Sequence, residues 1–240
     1  ESILYVYIIR SADYGILQSH LDNGDKLVMV EICISDDPSD KVIHEKLEPW
    51  CLENKVAMFV NTMWSGLCST KPDTEATWAE MLNRGYKAIQ TDRPSELAGY
   101  LAAYNRDRSA QSVIEAEHFH GFNYGTQGFS VPAAADSRLN KKVEKLTAGD
   151  YLEYRRIVFD GTETLLNLTM QGLSGGTLGV YLDGLAEENR IAQLTLASSE
   201  DYRTVTAVLD KTPETGTHTV HLRFTGAPKQ VLASLDSFRF

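Results

Sequence analysis

The chain has 240 residues, with 33 acidic side chains against 23 Lys and Arg, and a formal net charge of −10. The length fits one large domain or two ordinary ones, and 42% hydrophobic with 23% charged residues is typical of a globular protein. The acidic balance argues against a nucleic-acid partner or attachment to anionic lipid, because both need a basic surface. No apolar run approaches the roughly 18 residues of a membrane-spanning helix, so no transmembrane segment is predicted.

The first residues lack the basic start of a signal peptide and are predicted to form a strand, so the chain is expected to open inside a fold or as a processed or truncated product. Three cysteines, Cys33, Cys51 and Cys68, match no zinc or redox spacing and are expected to be buried thiols, although an odd count permits one disulfide, so the redox compartment stays open.

The first hundred residues alternate short β-branched and aromatic runs with helical patterns. The runs are expected to be buried parallel strands, and the intervening segments carry helical caps and stripes. Such alternation predicts a parallel sheet with helices outside it over residues 1–105. The predicted strands are 3–9, 27–34, 56–60 and 88–90, and the predicted helices are 13–21, 39–54, 74–84 and 94–104.

After residue 105 the pattern changes. Residues 106–112 are polar and without periodicity, which predicts a linker. Residues 113–240 then carry seven short runs separated by Gly-containing turn signals, the spacing expected of an all-β sandwich. The runs are 151–159, 164–170, 178–182, 192–196, 204–209, 218–224 and 235–240.

A G-x-S-x-G match occurs at Gly172, Ser174 and Gly176. In an α/β-hydrolase this motif presents a nucleophilic serine at a strand-to-helix elbow. Here it lies between two predicted strands, so a glycine-rich hairpin turn is the preferred interpretation.

Two short patterns carry metal-ligand residue types. His118 and His120 would share one face of a strand, but no third Cys or His is nearby, so polar surface is the preferred interpretation. Glu115 and Glu117 would also share a face, a costly arrangement of like charges unless a cation intervenes. With Asp236 as a third ligand they would suit calcium, and a solvated acidic edge is the alternative.

The C-terminal segment resembles a family 6 carbohydrate-binding module. The resemblance rests on Ile114-Glu115-Ala116-Glu117, on the segment 148–154, and on Leu235-Asp236-Ser237-Phe238-Arg239-Phe240, and it covers residues 113–240. It implies a jelly-roll, galactose-binding-like β-sandwich with a structural calcium held by Glu115, Glu117 and Asp236.

The same resemblance implies a sugar site in the loops at one end of the sandwich, normally two aromatic rings and an asparagine. In this sequence those positions fall near Lys145, Tyr202 and Ser234, of which only Tyr202 has the expected type.

The N-terminal segment resembles the end of a glycerophosphodiester phosphodiesterase. The likeness rests on residues 60–68, on Trp78 and Gly85, and on Ile89-Gln90-Thr91-Asp92-Arg93-Pro94 followed by Leu97 and 100–101. That family is a (β/α)₈ barrel, so the resemblance implies that residues 1–105 form a parallel (βα)4 half of a TIM-type barrel, strands five to eight.

The family's catalytic histidines and divalent-metal carboxylates belong to the first four strands and are absent here, so no catalytic residue is assigned and the complete barrel's metal is not expected to bind this chain alone. The chain is a fragment, or the missing half comes from another chain, or a second copy supplies it. Active sites of such barrels are built at the C-terminal ends of the strands, so Asn61, Trp64, Asp92 and Arg93 are expected to line a substrate mouth. Arg93 would be a phosphate-facing cation or an ordinary residue at a helix start.

The leading functional hypothesis is therefore the C-terminal part of a secreted, periplasmic or cell-surface phosphodiesterase acting on glycerophosphodiesters, with a carbohydrate-binding-like module appended. The alternative is a non-catalytic glycan-binding or scaffold protein.

Overall fold

The computed structural model describes residues 6–9, 14–23, 27–34, 43–62, 73–125, 129–131 and 141–240. The chain divides into two compact units, Glu1–Leu97 and Ala98–Phe240. No helix within these described ranges is both long enough and apolar enough to cross a membrane.

The N-terminal unit is built on a four-stranded parallel sheet in the order β1-β2-β3-β4. Helical segments separate the strands. The first two described strands lie inside the predicted runs, the third is shifted by one residue, and the fourth matches its predicted run. The elements are β1 (Val6–Ile9), α1 (Tyr14–Asp22), β2 (Met29–Ile32), a π-helical segment (Ile43–Leu47) that continues into α2 (Glu48–Glu53), β3 (Ala57–Asn61), α3 (Glu75–Asn83), β4 (Ala88–Gln90) and α4 (Pro94–Tyr104).

This sheet is open in the described part of the chain, because β1 pairs only with β2 and β4 only with β3. The architecture therefore agrees with the expected alternation of parallel strands and helices but does not by itself show half of a TIM-type barrel, and that assignment stays a proposal.

The core of the N-terminal unit joins the sheet to its helices. Ile32 and Val60 on neighbouring strands pack in one buried cluster with Leu47 and Cys51 from the helical segment before β3. Cys51 is a free buried thiol, whereas Cys33 is disulfide-bonded, so the expectation of three buried thiols is wrong for Cys33. Cys68 lies outside the described residues.

The C-terminal unit begins with the second half of α4 and continues in eleven strands. They are β5 (Arg108–Ser109), β6 (Ile114–Glu115), β7 (Gly121–Asn123), β8 (Val143–Thr147), β9 (Tyr151–Phe159), β10 (Leu165–Gly172), β11 (Gly176–Leu182), β12 (Arg190–Leu196), β13 (Arg203–Val208), β14 (Gly216–Thr225) and β15 (Val231–Arg239), with a 3₁₀ turn at Glu187–Asn189.

These strands form two sheets. The five-stranded sheet has the order β13-β10-β15-β6 with β8 also paired to β15, and the six-stranded sheet has the order β12-β11-β14-β9-β5 with β7 also paired to β9. Tyr154 of the six-stranded sheet meets Phe238 of the five-stranded sheet edge to face at 4.8 Å between ring centroids, and both are buried. The C-terminal unit is therefore a β-sandwich, as expected.

The segment predicted as a linker contributes to the sandwich. Strand β5 pairs parallel to β9, and the Phe240 N–H donates to the carbonyl of Ala110 at 2.8 Å. Upstream, the Tyr100 hydroxyl donates to the carbonyl of Phe119 at 2.6 Å. The two units divide between Leu97 and Ala98, and Arg108, within the stretch predicted as a linker, is buried.

The G-x-S-x-G segment connects β10 to β11, which lie in different sheets. It is a crossover between the sheets, so the hairpin interpretation is wrong. The segment is followed by strand β11 and not by a helix, which agrees with the rejection of a nucleophile elbow. A Cβ on Gly172 would lie 2.0 Å from the carbonyl oxygen of Ala197, so the backbones approach here more closely than any side chain permits.

Candidate functional site

The three positions expected to form a sugar site do come together. Ser234 of β15 lies opposite Gln171 of β10, and its hydroxyl accepts the Lys145 backbone N–H at 3.3 Å. Burial raises the pKa of the Tyr202 hydroxyl, and its hydrogen bond with Ser234 opposes that rise. Tyr202, Ser234 and Lys145 therefore meet at one end of the five-stranded sheet, and we call this group the Tyr202 surface.

Lys145 reaches this place through an irregular strand. The pairing of β8 with β15 shifts register on both sides of Ala233, and Lys145 has a left-handed φ of +60°. A non-glycine residue in that region of backbone space is uncommon and points to a defined local constraint.

Lys142 contacts the Tyr202 surface and was not identified from the sequence. Its ammonium lies 3.8 Å from the centroid of the Tyr202 ring, within cation–π range. The lysine precedes the start of β8, and its only sequence signal was proximity to Lys145.

The expected calcium ligands lie where β6 meets β15. Glu115 pairs directly with Ser237, and the Ala116 N–H donates to the Asp236 carbonyl at 2.9 Å. Burial and the negative charge of Asp236 raise the pKa of Glu115. The Oε2 atom of Glu115 is buried without a hydrogen-bond partner in the described residues.

Glu117 is also buried, and the loop before it is held by the Tyr154 hydroxyl, which donates to the Ala116 carbonyl at 2.8 Å. Over the described ranges, no group of three or more His, Cys, Asp or Glu side chains has the arrangement of a metal site. A cation at this edge would therefore need backbone carbonyl or water oxygens besides carboxylates, which calcium accepts.

The His118–His120 pair is not polar surface, and this interpretation is wrong for His120, which is 1% exposed. Its Nδ1 accepts the Arg155 backbone N–H at 3.2 Å, and its Nε2 lies 3.0 Å from the carbonyl of Tyr104. The Tyr104 ring stacks on the imidazole at 4.5 Å. Both ring nitrogens are engaged, so His120 is a structural residue.

The C-terminal edge of the parallel sheet carries the residues expected at a substrate mouth. Asn61 ends β3, is 1% exposed, and donates through Nδ2 to Glu31 Oε1 of β2 at 2.9 Å. Asp92 and Arg93 follow β4, so they lie at the same edge of the sheet. Trp64 lies outside the described residues.

Asp73 organises this edge and was not singled out from the sequence. Its carboxylate accepts the Trp78 indole N–H at 2.7 Å and the Thr91 hydroxyl at 2.6 Å, and it lies 2.8 Å from the Thr62 hydroxyl. Burial acts to raise the pKa of Asp73, but these hydrogen bonds outweigh it and the pKa is lowered. The pKa of Asp92 is raised, chiefly by its hydrogen bond to Asp73, so Asp73 is the more acidic carboxyl of the pair.

Arg93 is already neutralised within the N-terminal unit. Its guanidinium donates to both carboxylate oxygens of Glu96, lies 3.6 Å from Glu75, and covers the Trp78 ring at 5.3 Å. These contacts fix the start of α4. Between the two interpretations of Arg93, the geometry favours the helix-start residue over a free phosphate-facing cation.

Two family models match the chain. A family described as a domain of unknown function matches residues 5–101, and carbohydrate binding module family 6 matches residues 115–240. Among curated proteins, none matches this chain.

Solved structures of family 6 modules are similar to the C-terminal part. One is CsCBM6-3 from Clostridium stercorarium in complex with cellobiose, with 22% identity, 57% of this chain and 97% of that chain covered, and a TM-score of 0.47. Another is a β-1,3-glucan binding module from Bacillus halodurans, with 19% identity, coverage of 56% and 98%, and a TM-score of 0.49. A third is a module from Clostridium cellulolyticum in complex with xylose, with 25% identity, coverage of 55% and 98%, and a TM-score of 0.46.

The family 6 match spans more than half of the 240 residues. It begins at the last residue of β6 and contains the nine strands from β7 to β15. Its order of elements carries the Tyr202 surface at one end and the Glu115–Asp236 edge where the first and last matched strands meet. Through residues 115–240, the chain belongs to carbohydrate-binding module family 6.

Proposed function

We propose that the sandwich binds a glycan at the Tyr202 surface. The observation that supports this most directly is the meeting of Tyr202, Ser234 and Lys145, which are far apart in sequence, at one end of the five-stranded sheet. The Tyr202 ring supplies an apolar plate for a sugar face. Gln171, which lies opposite Ser234 on the paired strand, supplies a polar group for sugar hydroxyls, while the buried Ser234 positions Tyr202 through their hydrogen bond.

The test is isothermal titration of the full chain with xylo-oligosaccharides, cello-oligosaccharides and a soluble β-1,3-glucan. We expect Tyr202→Ala to weaken binding about tenfold, which corresponds to about 1.4 kcal/mol. Tyr202→Phe keeps the ring and removes only the hydroxyl, so it serves as the matched control and should bind nearly as the unmodified chain. Equal affinities for Tyr202→Ala and the unmodified chain would contradict the proposed site.

We also propose that a structural calcium ion binds at the Glu115–Asp236 edge, with Glu117 as a further ligand. The buried Glu115 Oε2 atom without a hydrogen-bond partner in the described residues supports this, because a bound cation would compensate its charge. Calcium binding would link the strands that contain Glu115 and Asp236, and excess calcium at about 100 times Kd would add about 2.7 kcal/mol to the stability.

Thermal melting with EDTA or with excess calcium tests this proposal. The midpoint should rise with calcium more than with magnesium, which demands a tighter octahedral site. Glu115→Gln should abolish the rise, and Glu144→Gln, an acidic residue of β8, should retain it. A midpoint that is unchanged by calcium would leave these carboxylates as a plain acidic edge.

For the N-terminal unit we propose a (βα)4 half of a phosphodiesterase barrel, with a glycerophosphodiester as substrate of the complete enzyme and Asn61 and Asp92 at its mouth. The sequential order of four parallel strands and the polar C-terminal edge support this assignment. A disulfide at Cys33 supports an oxidising compartment, so we propose that the protein is secreted, periplasmic or at the cell surface.

The barrel proposal predicts that this chain alone does not hydrolyse glycerophosphodiesters, since no histidine lies at the C-terminal end of any of its four parallel strands within the described residues. Mixing it with the missing half, whether another polypeptide or an upstream segment, should restore release of glycerol 3-phosphate. The rival function, a glycan-binding scaffold, predicts no turnover in either case.

A further inference from the structure

The most specific feature of the Tyr202 surface is the cation on its aromatic ring. The Lys142 ammonium lies 3.8 Å from the Tyr202 ring centroid, and Lys142 has no ion-pair partner in the part of the chain that the structure describes. Any sugar that stacks on this face of the ring must first displace the ammonium. The affinity of a ligand therefore depends on whether it can pair with the displaced Lys142 ammonium.

A neutral pyranose offers the ammonium only hydroxyl groups, so stacking loses the cation–π contact and returns the charge to water. A sugar that carries an anionic group offers an ion pair in exchange, because the ammonium can move from the ring to the anion while the pyranose takes its place. The exchange favours a charged sugar over its neutral counterpart.

We propose that the Tyr202 surface is selective for an anionic glycan, with Lys142 as the residue that pairs with the carboxylate or sulfate group. This inference rests on the proposed glycan-binding function and adds the class of ligand. Lys145, which is exposed and likewise without an ion pair in the described ranges, places a second positive charge on β8, the strand that Lys142 directly precedes.

The surrounding charges make the test discriminating. The negative charges of Glu144 and Asp236 both raise the pKa of the Tyr202 hydroxyl. They would repel an anion at the hydroxyl, so we expect the anion on the Lys142 side of the ring. The chain as a whole carries a net charge of −10, which repels polyanions in general. Binding of an anionic polymer would therefore report a local site.

The experiment compares the full chain with polygalacturonate, with a sulfated galactan and with neutral β-1,3-glucan, at low and high salt, by affinity electrophoresis and calorimetry. The two anionic polymers distinguish a carboxylate from a sulfate ligand. Lys142→Gln is the test variant. Lys211→Gln is the matched control, because the Lys211 ammonium donates to the carbonyl of Glu188, which lies between β11 and β12 of the six-stranded sheet. Circular dichroism verifies that each variant is folded.

We expect at least one anionic polymer to bind more tightly than the neutral glucan, with binding weakened by salt. Lys142→Gln should weaken this binding about fivefold, the effect of one exposed ion pair, and leave neutral glucan binding unchanged or tighter. Binding of the neutral glucan alone would overturn the selectivity and leave the glycan-binding function standing. Anionic binding that is unchanged in Lys142→Gln would also overturn it, and failure of all glycans to bind would overturn both proposals.

Discussion

Acidification is expected to destabilise the sandwich through His120. Burial, and then the positive charge of Arg108, lower the pKa of His120 from its ordinary 6.5 to about 4. The imidazole Nδ1 accepts the Arg155 backbone N–H and lies 3.5 Å from an Arg108 guanidinium nitrogen, so a proton there would face two donors. The folded protein therefore resists a proton that the unfolded chain takes up readily.

The sign follows from this difference. Above pH 6.5 His120 is neutral in both states, and its contribution to stability is complete. Between pH 6.5 and about 4 only the unfolded chain binds the proton, so the free energy of unfolding falls as the pH falls. The loss over this window is about 3 kcal/mol, at about 1.4 kcal/mol per pH unit. The pKa of His118 is also lowered to about 4, first by burial, and acts in the same direction.

Two measurements check this prediction. Histidine NMR titration of the folded chain should give midpoints below pH 5 for both imidazoles. Urea unfolding followed by circular dichroism should show a flatter dependence on pH between 6.5 and 4 in His120→Asn, which keeps an acceptor near the Arg155 N–H and cannot be protonated. A His120 midpoint near 6.5, or an unchanged slope in the variant, would refute the reasoning.

Two other predictions concern the fold. Gly172→Ala should destabilise the sandwich by about 2 kcal/mol, or about 5 °C in Tm, because the new Cβ would overlap the Ala197 carbonyl oxygen. Gly175→Ala, at a position with no neighbour within 4 Å, should not, and equal melting of the two variants would contradict the close approach. A chain that begins at residue 113 should be about 3 kcal/mol less stable than one that begins at residue 98, since it lacks the Tyr100–Phe119 hydrogen bond, the stacking of Tyr104 and strand β5. Coincident urea midpoints for the two chains would show that residues 98–112 contribute nothing.

The strands of the parallel sheet and those from β9 onward were predictable from the sequence because buried β-branched runs mark them, and β9 was predicted at its observed bounds. The short strands β5 to β8 matched no predicted run. Partnership between strands was not predictable, which is why the Gly172–Gly176 segment was expected to form a hairpin and not a crossover between sheets. Buried polar residues were misjudged for a related reason. Arg108 and His120 are residue types that usually lie at the surface, and only the tertiary contacts show that both are buried.

At the candidate sites, the sequence predicted which residues lie there but not the contacts that their side chains make. The meeting of Lys145, Tyr202 and Ser234 was anticipated through family resemblance, whereas the ammonium of Lys142 on the ring depends on the irregular path of β8. Similarly, the position of Arg93 at the end of β4 was expected, but its pairing with Glu96 depends on how α4 begins.

The uneven distribution of tryptophan gives the protein built-in optical reporters. All three tryptophans, Trp50, Trp64 and Trp78, lie in the N-terminal unit, and the sequence of the C-terminal unit contains none. Tryptophan emission during unfolding therefore follows the N-terminal unit alone, while the amide circular dichroism reports both units. Denaturation curves recorded by both signals would resolve the two units without any label. A glycan that binds the sandwich should shift the circular dichroism curve and leave the tryptophan emission curve unchanged.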